Sequence, residues 1–402
     1  MSLKIVYKIM RSLAHAERPT GSFAGLNFTE VVLSSPHMPL KPKTKRVTLA
    51  DMAKTLDLTP RAVSKALNGE DSTVRVSEKT RERVLALAKR LNYRPNRMAK
   101  TLRTGKSGMV GVLAFQAFGH LFQLKLYLAR QFAEQHGFHP NIYVVPDASE
   151  ESCNRAVDIM IDSKVDALIV FNDLGKAHLD RLAAAGIPAV VVGAAAPLHV
   201  PTYFADFKRG VSLLAKHLIA QGSSSMTLLY EDTSDHQTSS KFVQDAIEGI
   251  QEAVKAAGRE EREVHFRTQA QHVSYEGFMV QQAPNVHGLH AGGYLGMREI
   301  IRSERVPDAL ICNGDATAHG ALLACAECGL RVPHEMMVVG VGDDPASSAG
   351  LLPLTTIRQP LEDLCRLAFD DLKRMAVSGD RPANRRVVLP YELIVRESTR
   401  RL

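Results

Sequence analysis

From Met109 onward, short runs of branched apolar residues alternate with segments of helical spacing, and this rhythm limits the possible folds more than any other feature. The runs are M-V-G-V-L-A-F (109–115), N-I-Y-V-V (141–145), D-A-L-I-V-F (166–171) and A-V-V-V-G (189–193). Helical patterns at 121–136, 149–163 and 176–186 separate them. The rhythm repeats with M-T-L-L-Y (226–230), a strand near 263–267, A-L-I-C-N (309–313) and M-V-V-G-V (337–341), and helices near 239–257, 292–303 and 316–328. Strands that read as continuous apolar runs are buried on both faces, which parallel sheets achieve by carrying helices on each side. Two such sets predict two α/β lobes. Ligands bind beyond the carboxyl ends of such strands, so a cleft between the lobes is the expected small-molecule site.

At 402 residues the chain exceeds one ordinary core. Its net charge of +7 is unevenly spread. Between Met38 and Gly108, 18 Lys and Arg stand against 6 Asp and Glu; from 109 to 402 the balance reverses to 28 against 35. A basic head on an acidic body implies that the head alone meets a polyanion. No apolar run approaches the ~18–20 residues that span a bilayer, so no membrane partner is expected. The five cysteines (153, 312, 325, 328, 365) suggest no disulfide framework, which suits a reducing cytoplasm. Cys325-x-x-Cys328 reads as packing rather than metal binding. Residues 1–45 are expected to be a disordered extension, with Met38 an alternative start of translation.

The basic portion has a pattern of its own. Thr48 to Asn68, T-L-A-D-M-A-K-T-L-D-L-T-P-R-A-V-S-K-A-L-N, reads as two short helices joined by a tight turn. Thr48 is placed to accept the first amides of a helix over 49–56, and Asp51 favours its positive end. Leu49, Met52, Ala53 and Leu56 form one apolar stripe. Asp57-Leu58 makes the turn. Thr59 then caps a second helix whose first residue, Pro60, loses nothing by lacking an N–H. Ala62, Val63, Ala66 and Leu67 face inward, leaving Arg61, Ser64, Lys65 and Asn68 on the opposite side. A short helix with small inner residues and outward donors suits a major groove. Taken alone, the stretch fits an ordinary αα-hairpin with a solvated basic face equally well.

Gly69–Val76 is a polar loop, and Ser77 caps a third helix, Glu78–Leu91, whose Val84, Leu87, Ala88 and Leu91 share a face. Three helices in about fifty residues can close a small core. Lys89, Arg90, Arg94, Arg97, Lys100, Arg103 and Lys106 crowd the next segment. Pro95 can start a short helix there, with Met98, Ala99 and Leu102 on one face. It is too short and self-repelling to be stable alone, so it should fold only against an anionic partner. A Leu on such a helix can wedge between base pairs from the minor groove; a mere linker is the alternative.

These residues together resemble the LacI/GalR (lactose-repressor) family of bacterial transcription regulators over roughly 46–402. The resemblance rests on V-T-L-A-D-M-A, T-P-R-A-V-S-K-A-L-N, V-S-E-K-T-R-E-R-V, L-N-Y-R-P-N and A-K-T-L-R-T-G-K-S in the head. In the body it rests on G-D-A-T-A-H-G-A-L, G-L-R-V-P, V-V-G-V-G-D-D, P-L-T-T-I-R-Q-P and L-P-Y-E-L-I-V-R-E-S. It implies an α/β protein with a helix-turn-helix head (46–92), a hinge helix and linker (93–108) and a periplasmic-binding-protein-like body (109–402). The N-lobe would span 109–205 plus 359–388 and the C-lobe 206–358 plus 389–402. It implies a homodimeric repressor that binds a near-palindromic double-stranded DNA operator, with a small-molecule effector such as a sugar or related metabolite. Carried over by position, Pro60, Arg61 and Lys65 read bases. Thr48, Thr59, Ser64, Asn68, Ser77, Thr80, Tyr93 and Asn96 grip the backbone, and Ala99, Lys100 and Leu102 enter the minor groove.

The effector region departs from the family. Ala246, Gly314 and Gly342 stand where the family commonly holds hydroxyls or a carboxylate, and the chain has no Trp to stack on a sugar ring. Candidates to hold a ligand are His120, Gln123, Asp206, Lys241, Asp315 and Gln359. A bulkier, less polar ligand, a ligand-blind regulator and a regulator controlled by a protein partner stay open. A solute-binding protein would not need the basic head. Catalysis finds no support: there is no G-x-S-x-G, Gly105-Lys106-Ser107 lacks the rest of a phosphate loop, and Gly340-x-Gly342 lacks the rest of a dinucleotide fingerprint. His287-x-x-His290 has no third ligand and reads as a polar loop. No metal or cofactor is expected.

Overall fold

The computed structural model describes residues 47–68, 76–93, 101, 105–115, 120–172, 174–193, 199–232, 236–258, 265–272, 289–303, 306–379 and 385–400. The expectations for residues 1–45, for the loop at 69–75 and for most of the hinge segment lie outside these residues. The structure divides into two compact units, Met1–Pro95 and Asn96–Leu402. No described helix is long and apolar enough to cross a membrane.

In the first unit, α1 (Leu49–Leu56), α2 (Pro60–Asn68) and α3 (Glu78–Arg90) enclose a small core. Thr48 Oγ1 accepts from the Asp51 amide at 3.2 Å while the Thr48 amide donates to Asp51 Oδ2 at 2.9 Å, a reciprocal cap. Asp57 ends α1 in the left-handed region at φ 55°. Thr59 Oγ1 accepts from the Ala62 amide, and Ser77 Oγ from that of Thr80. Three capped starts fix three short helices, none of which would persist alone. Met52, Ala53, Val63, Ala66, Val84, Leu87 and Ala88 are buried at the centre.

The second unit contains two six-stranded sheets. The first has the spatial order β2-β1-β3-β4-β5-β11, all parallel, from β1 (Met109–Phe115), β2 (His139–Val145), β3 (Ala167–Phe171), β4 (Ala189–Val192), β5 (Thr202–Ala205) and β11 (Arg386–Leu389). Successive strand residues serve opposite faces. Val110, Val112 and Ala114 pack on α4 (His120–Gln135) and α12 (Leu361–Ser378), while Leu113 packs with residues of α5 (Glu150–Asp162) and α6 (Lys176–Ala184). Burial on both faces is why the strands read as unbroken apolar runs.

The second sheet, ordered β7-β6-β8-β9-β10-β12, uses β6 (Ser225–Asp232), β7 (His265–His272), β8 (Ala309–Cys312), β9 (Met337–Val341), β10 (Thr355–Arg358) and an antiparallel edge, β12 (Glu392–Ile394). Residues of α7 (Phe207–Ala220) and α8 (His236–Ala256) cover one face; those of α9 (Leu289–Arg302) and α10 (Asp315–Glu327) cover the other. A short α11 (Ala346–Ala349) and a 3-10 turn (Glu397–Thr399) complete the elements among the described residues. The chain passes between the sheets three times: after β5, after β10 and after β11.

One anchoring device recurs in both lobes. Asp166, just before β3, accepts from Ser107 N, Ser107 Oγ and Gly108 N at 2.7, 3.0 and 2.8 Å. Asp308, just before β8, accepts from Ser224 N, Ser224 Oγ and Ser225 N at 2.7, 2.6 and 2.9 Å. Each carboxylate fixes the entry to the first strand of its sheet. The polar loop expected at 287–290 is corrected in part: α9 already begins at Leu289 and includes His290. Cys325 lies buried in α10 and Cys328 is exposed at its end.

Candidate functional site

On the head, local sequence determines which side chains face outward. Val63 and Ala66 are buried in the three-helix core, so Arg61, two residues before Val63, is exposed, as are Thr59 and Pro60. Ser64 and Lys65 are half-buried on the same short helix. Small inner residues let α2 lie close to its neighbours while its first turn stays open to solvent, the geometry a major groove accepts. Of the backbone-gripping candidates, Thr48, Thr59 and Ser77 are the caps of the three helices, and Thr80 Oγ1 lies 2.9 Å from Ser77 Oγ. A helix N-terminus carries unsatisfied amides and the positive end of the dipole, which suits a phosphate. Tyr93 is half-buried against the core, and burial raises its pKa, so its hydroxyl stays protonated as a donor. The side chain of Asn68 is not among those described; Asn96, Ala99, Lys100 and Leu102 lie outside the described residues.

In the body the candidates scatter more widely. Asp206 directly follows β5, where the chain leaves the first sheet, and caps α7 by accepting from the Arg209 amide at 3.0 Å. Gln359 follows β10 at the second passage and is half-buried. His120 and Gln123 open α4, half-buried and exposed. Lys241 is exposed on α8 and paired with Asp245 at 3.0 Å, one turn away. Asp315 is buried, and its oxygens accept from Thr356 Oγ1 at 2.6 Å, the Asp344 amide at 2.7 Å and Ser347 Oγ at 2.9 Å. Burial pushes its pKa up, against the lowering effect of those donors. With three protein donors already on it, Asp315 holds the loop after β9 in place. Ala246 lies inside the second lobe's core.

Two groups that the sequence did not single out lie at the carboxyl end of the first sheet. Lys125, on α4, donates to Asn172 Oδ1 at 3.1 Å, and its ammonium sits 6.0 Å from the centre of the Phe171 ring. Asn172, just past β3, is in the left-handed region at φ 74°. Near the start of α8, Phe242 stacks on Phe207 with ring centres 3.7 Å apart, and Tyr391 meets Phe207 edge-on at 6.2 Å. Burial and the Asp206 charge hold the Tyr391 phenol protonated. No spacing in the sequence marks these residues; an apolar-to-Lys change on an otherwise inward helical face is the one available signal.

Residues 48–96 match the bacterial regulatory proteins of the lacI family, and residues 215–399 match the periplasmic binding protein-like domain. The chain is 27% identical to the lactose operon repressor of Escherichia coli (strain K12) over 358 residues, 88% of this chain and 91% of that protein. It is 25% identical to the HTH-type transcriptional repressor PurR of Haemophilus influenzae over 358 residues, 88% and 98% of the two chains. The structure of the lac repressor dimer bound to operator and the anti-inducer ONPF superposes with a TM-score of 0.73 at 25% identity, covering 88% of this chain and 99% of that one. A lacI-family region at residues 48–96 thus precedes a periplasmic binding protein-like domain at residues 215–399, and the chain is similar to the lactose operon repressor along 88% of its length.

Proposed function

We propose that this protein is a DNA-binding transcriptional repressor of the bacterial cytoplasm that works as a homodimer on a near-palindromic operator. The observation that carries this reading is the exposed first turn of α2, where Arg61 stands above a buried Val63–Ala66 face on a helix held by capped neighbours. Pro60, Arg61 and Lys65 would meet base edges. Thr48, Thr59, Ser64, Asn68, Ser77, Thr80, Tyr93 and Asn96 would meet phosphate or sugar, and Ala99, Lys100 and Leu102 the minor groove. An effector would bind beyond the strand ends of the body, near Asp206, Gln359, His120 and Gln123, and shift operator affinity. Lys241 and Asp315, the other two candidates, also hold protein partners, Asp245 and Thr356. The relatives are regulators, and the reading requires no catalytic group.

Selection from random duplexes with the full-length protein tests this. Recovered sites should be inverted repeats with half-sites about one helical turn apart. Arg61→Ala should relax preference at one position in each half-site, worth about 1–3 kcal/mol, while non-specific binding persists. Failure to enrich any inverted repeat, or an even loss across all sequences in the variant, would overturn the assignment.

A further inference from the structure

We propose that the effector is a small organic anion whose carboxylate or phosphate is held by Lys125 together with the amide of Asn172. The proposal rests on the effector reading above. Lys125 lies one helical turn after Leu121, so the two share a face of α4. Leu121 comes within 3.6 Å of the position a Cβ on Gly342 would take, in the loop after β9. That face of α4 is therefore turned to where the strands of the second sheet end, as Lys125 itself sits where those of the first sheet end.

Among the described residues the groups around the ammonium are uncharged. Of its three donors, one is taken by Asn172 Oδ1. The Phe171 ring offers a π-face at the limit of useful distance. The Cys365 thiol acts on Lys125, but burial pushes that thiol up to about 12, so it is neutral. Among the described residues no carboxylate reaches ion-pair distance of Lys125, whereas Arg130 on the next turn has Glu134 at 2.7 Å. Burial lowers the lysine's pKa, the response of a cation that has lost water without gaining a counterion. A lysine serving only to pack gains nothing from that charge; one serving a structural ion pair would show its partner.

Asn172 completes the arrangement. Its Oδ1 lies 3.2 Å from the Cβ position of Gly193, so the strand end after β4 hems the amide in beside the lysine. Its NH2 carries two donors, which with the remaining ammonium protons can serve the oxygens of one anionic group. Gly314 and Gly342, past the strand ends of the second sheet, offer no side-chain donors for the hydroxyls of a neutral polyol. The local chemistry favours a charged ligand.

Calorimetry and thermal melting of the full-length protein against glucose, gluconate, glucose 6-phosphate and inorganic phosphate test this. At least one organic anion should bind and raise the melting temperature where glucose does not. Lys125→Met should weaken that binding roughly tenfold or more. Asn172→Asp, which tolerates the same backbone and sets a carboxylate beside the ammonium, should abolish it while melting at or above the parent protein. Competition by inorganic phosphate would support the phosphate form, and selective gluconate binding the carboxylate form. Silence of every anion, equal binding of glucose, or anion binding unchanged in both variants would overturn the proposal. Duplex selection on the same preparation separates the two readings, because sequence-specific DNA binding that survives those negatives leaves the regulator assignment standing.

Discussion

Asp343 shows how one carboxylate can tie distant segments together. It stands at φ 53° after β9, a left-handed conformation that Asp and Asn accept more readily than most residues. Its oxygens accept from Arg396 and from Arg358, each at 2.6 Å, joining the loop to β10 and to the C-terminal segment. Burial alone would raise its pKa, but the hydrogen bonds and charges of the two arginines outweigh burial and hold it below the ordinary carboxylate value. A folded-state pKa below the unfolded one means that the native state binds fewer protons between the two values. The stabilisation is therefore complete above the unfolded value of about 3.9 and is lost as pH falls through the depressed folded value. Asp315, whose pKa burial raises, acts in the opposite sense and destabilises the fold less once protonated. Asp343→Asn keeps the backbone conformation and removes the charge. It should lower the urea midpoint at neutral pH and flatten its decline below about pH 4. Parallel acid profiles for variant and parent would show that this carboxylate does not control acid sensitivity.

Among the elements, the crossing of α9 and α10 is set by glycine. A Cβ on Gly320 would fall on the carbonyl oxygen of His290, and one on Gly293 on that of Thr317, so the two backbones touch with no side chain between them. Gly320→Ala should force the helices apart, costing about 1–3 kcal/mol, visible as a lower melting temperature with operator contacts untouched. An unchanged melting temperature would mean that the helices separate freely. The crossing was not legible in the sequence, because Gly293 and Gly320 sit in ordinary helical patterns. The strands from 109, 189, 309 and 337 were legible because apolar runs covered on both faces leave few alternatives. β5 and β10 were missed because Thr202, Thr355 and Thr356 look like surface residues. They are buried because their neighbours are specific: Thr355 bonds Thr399 and Arg396, and Thr356 bonds Asp315. The candidate site divides the same way. Arg61 could be placed from its own helix, whereas Lys125 acquires meaning only from Asn172 and Cys365, which arrive from other elements.

Across the whole molecule, charge separates the two tasks. The segment from Met38 to Gly108 is strongly basic and the chain beyond it is acidic, so attraction to a duplex should arise in the head, with the body repelled. That division also limits non-specific capture by other polyanions, since the larger part of the chain carries the wrong sign for it. Each phosphate neutralised releases condensed counterions, and a protein making six to ten such contacts loses on the order of 10³–10⁵ in affinity between 50 and 200 mM salt. Operator affinity of the full chain should fall on that scale in a salt titration. Lys79, exposed beside the Ser77 cap of α3, belongs to the attracting part; Lys176, exposed on α6 and paired with Asp180 at 2.7 Å, belongs to the body. Lys79→Gln should reduce the slope of log affinity against log salt by about one. Lys176→Gln should leave it where it was, because a charge already matched within an acidic body releases no counterion from the duplex. Equal effects of the two changes, or a flat titration of the parent protein, would mean that the charge asymmetry has no part in DNA binding.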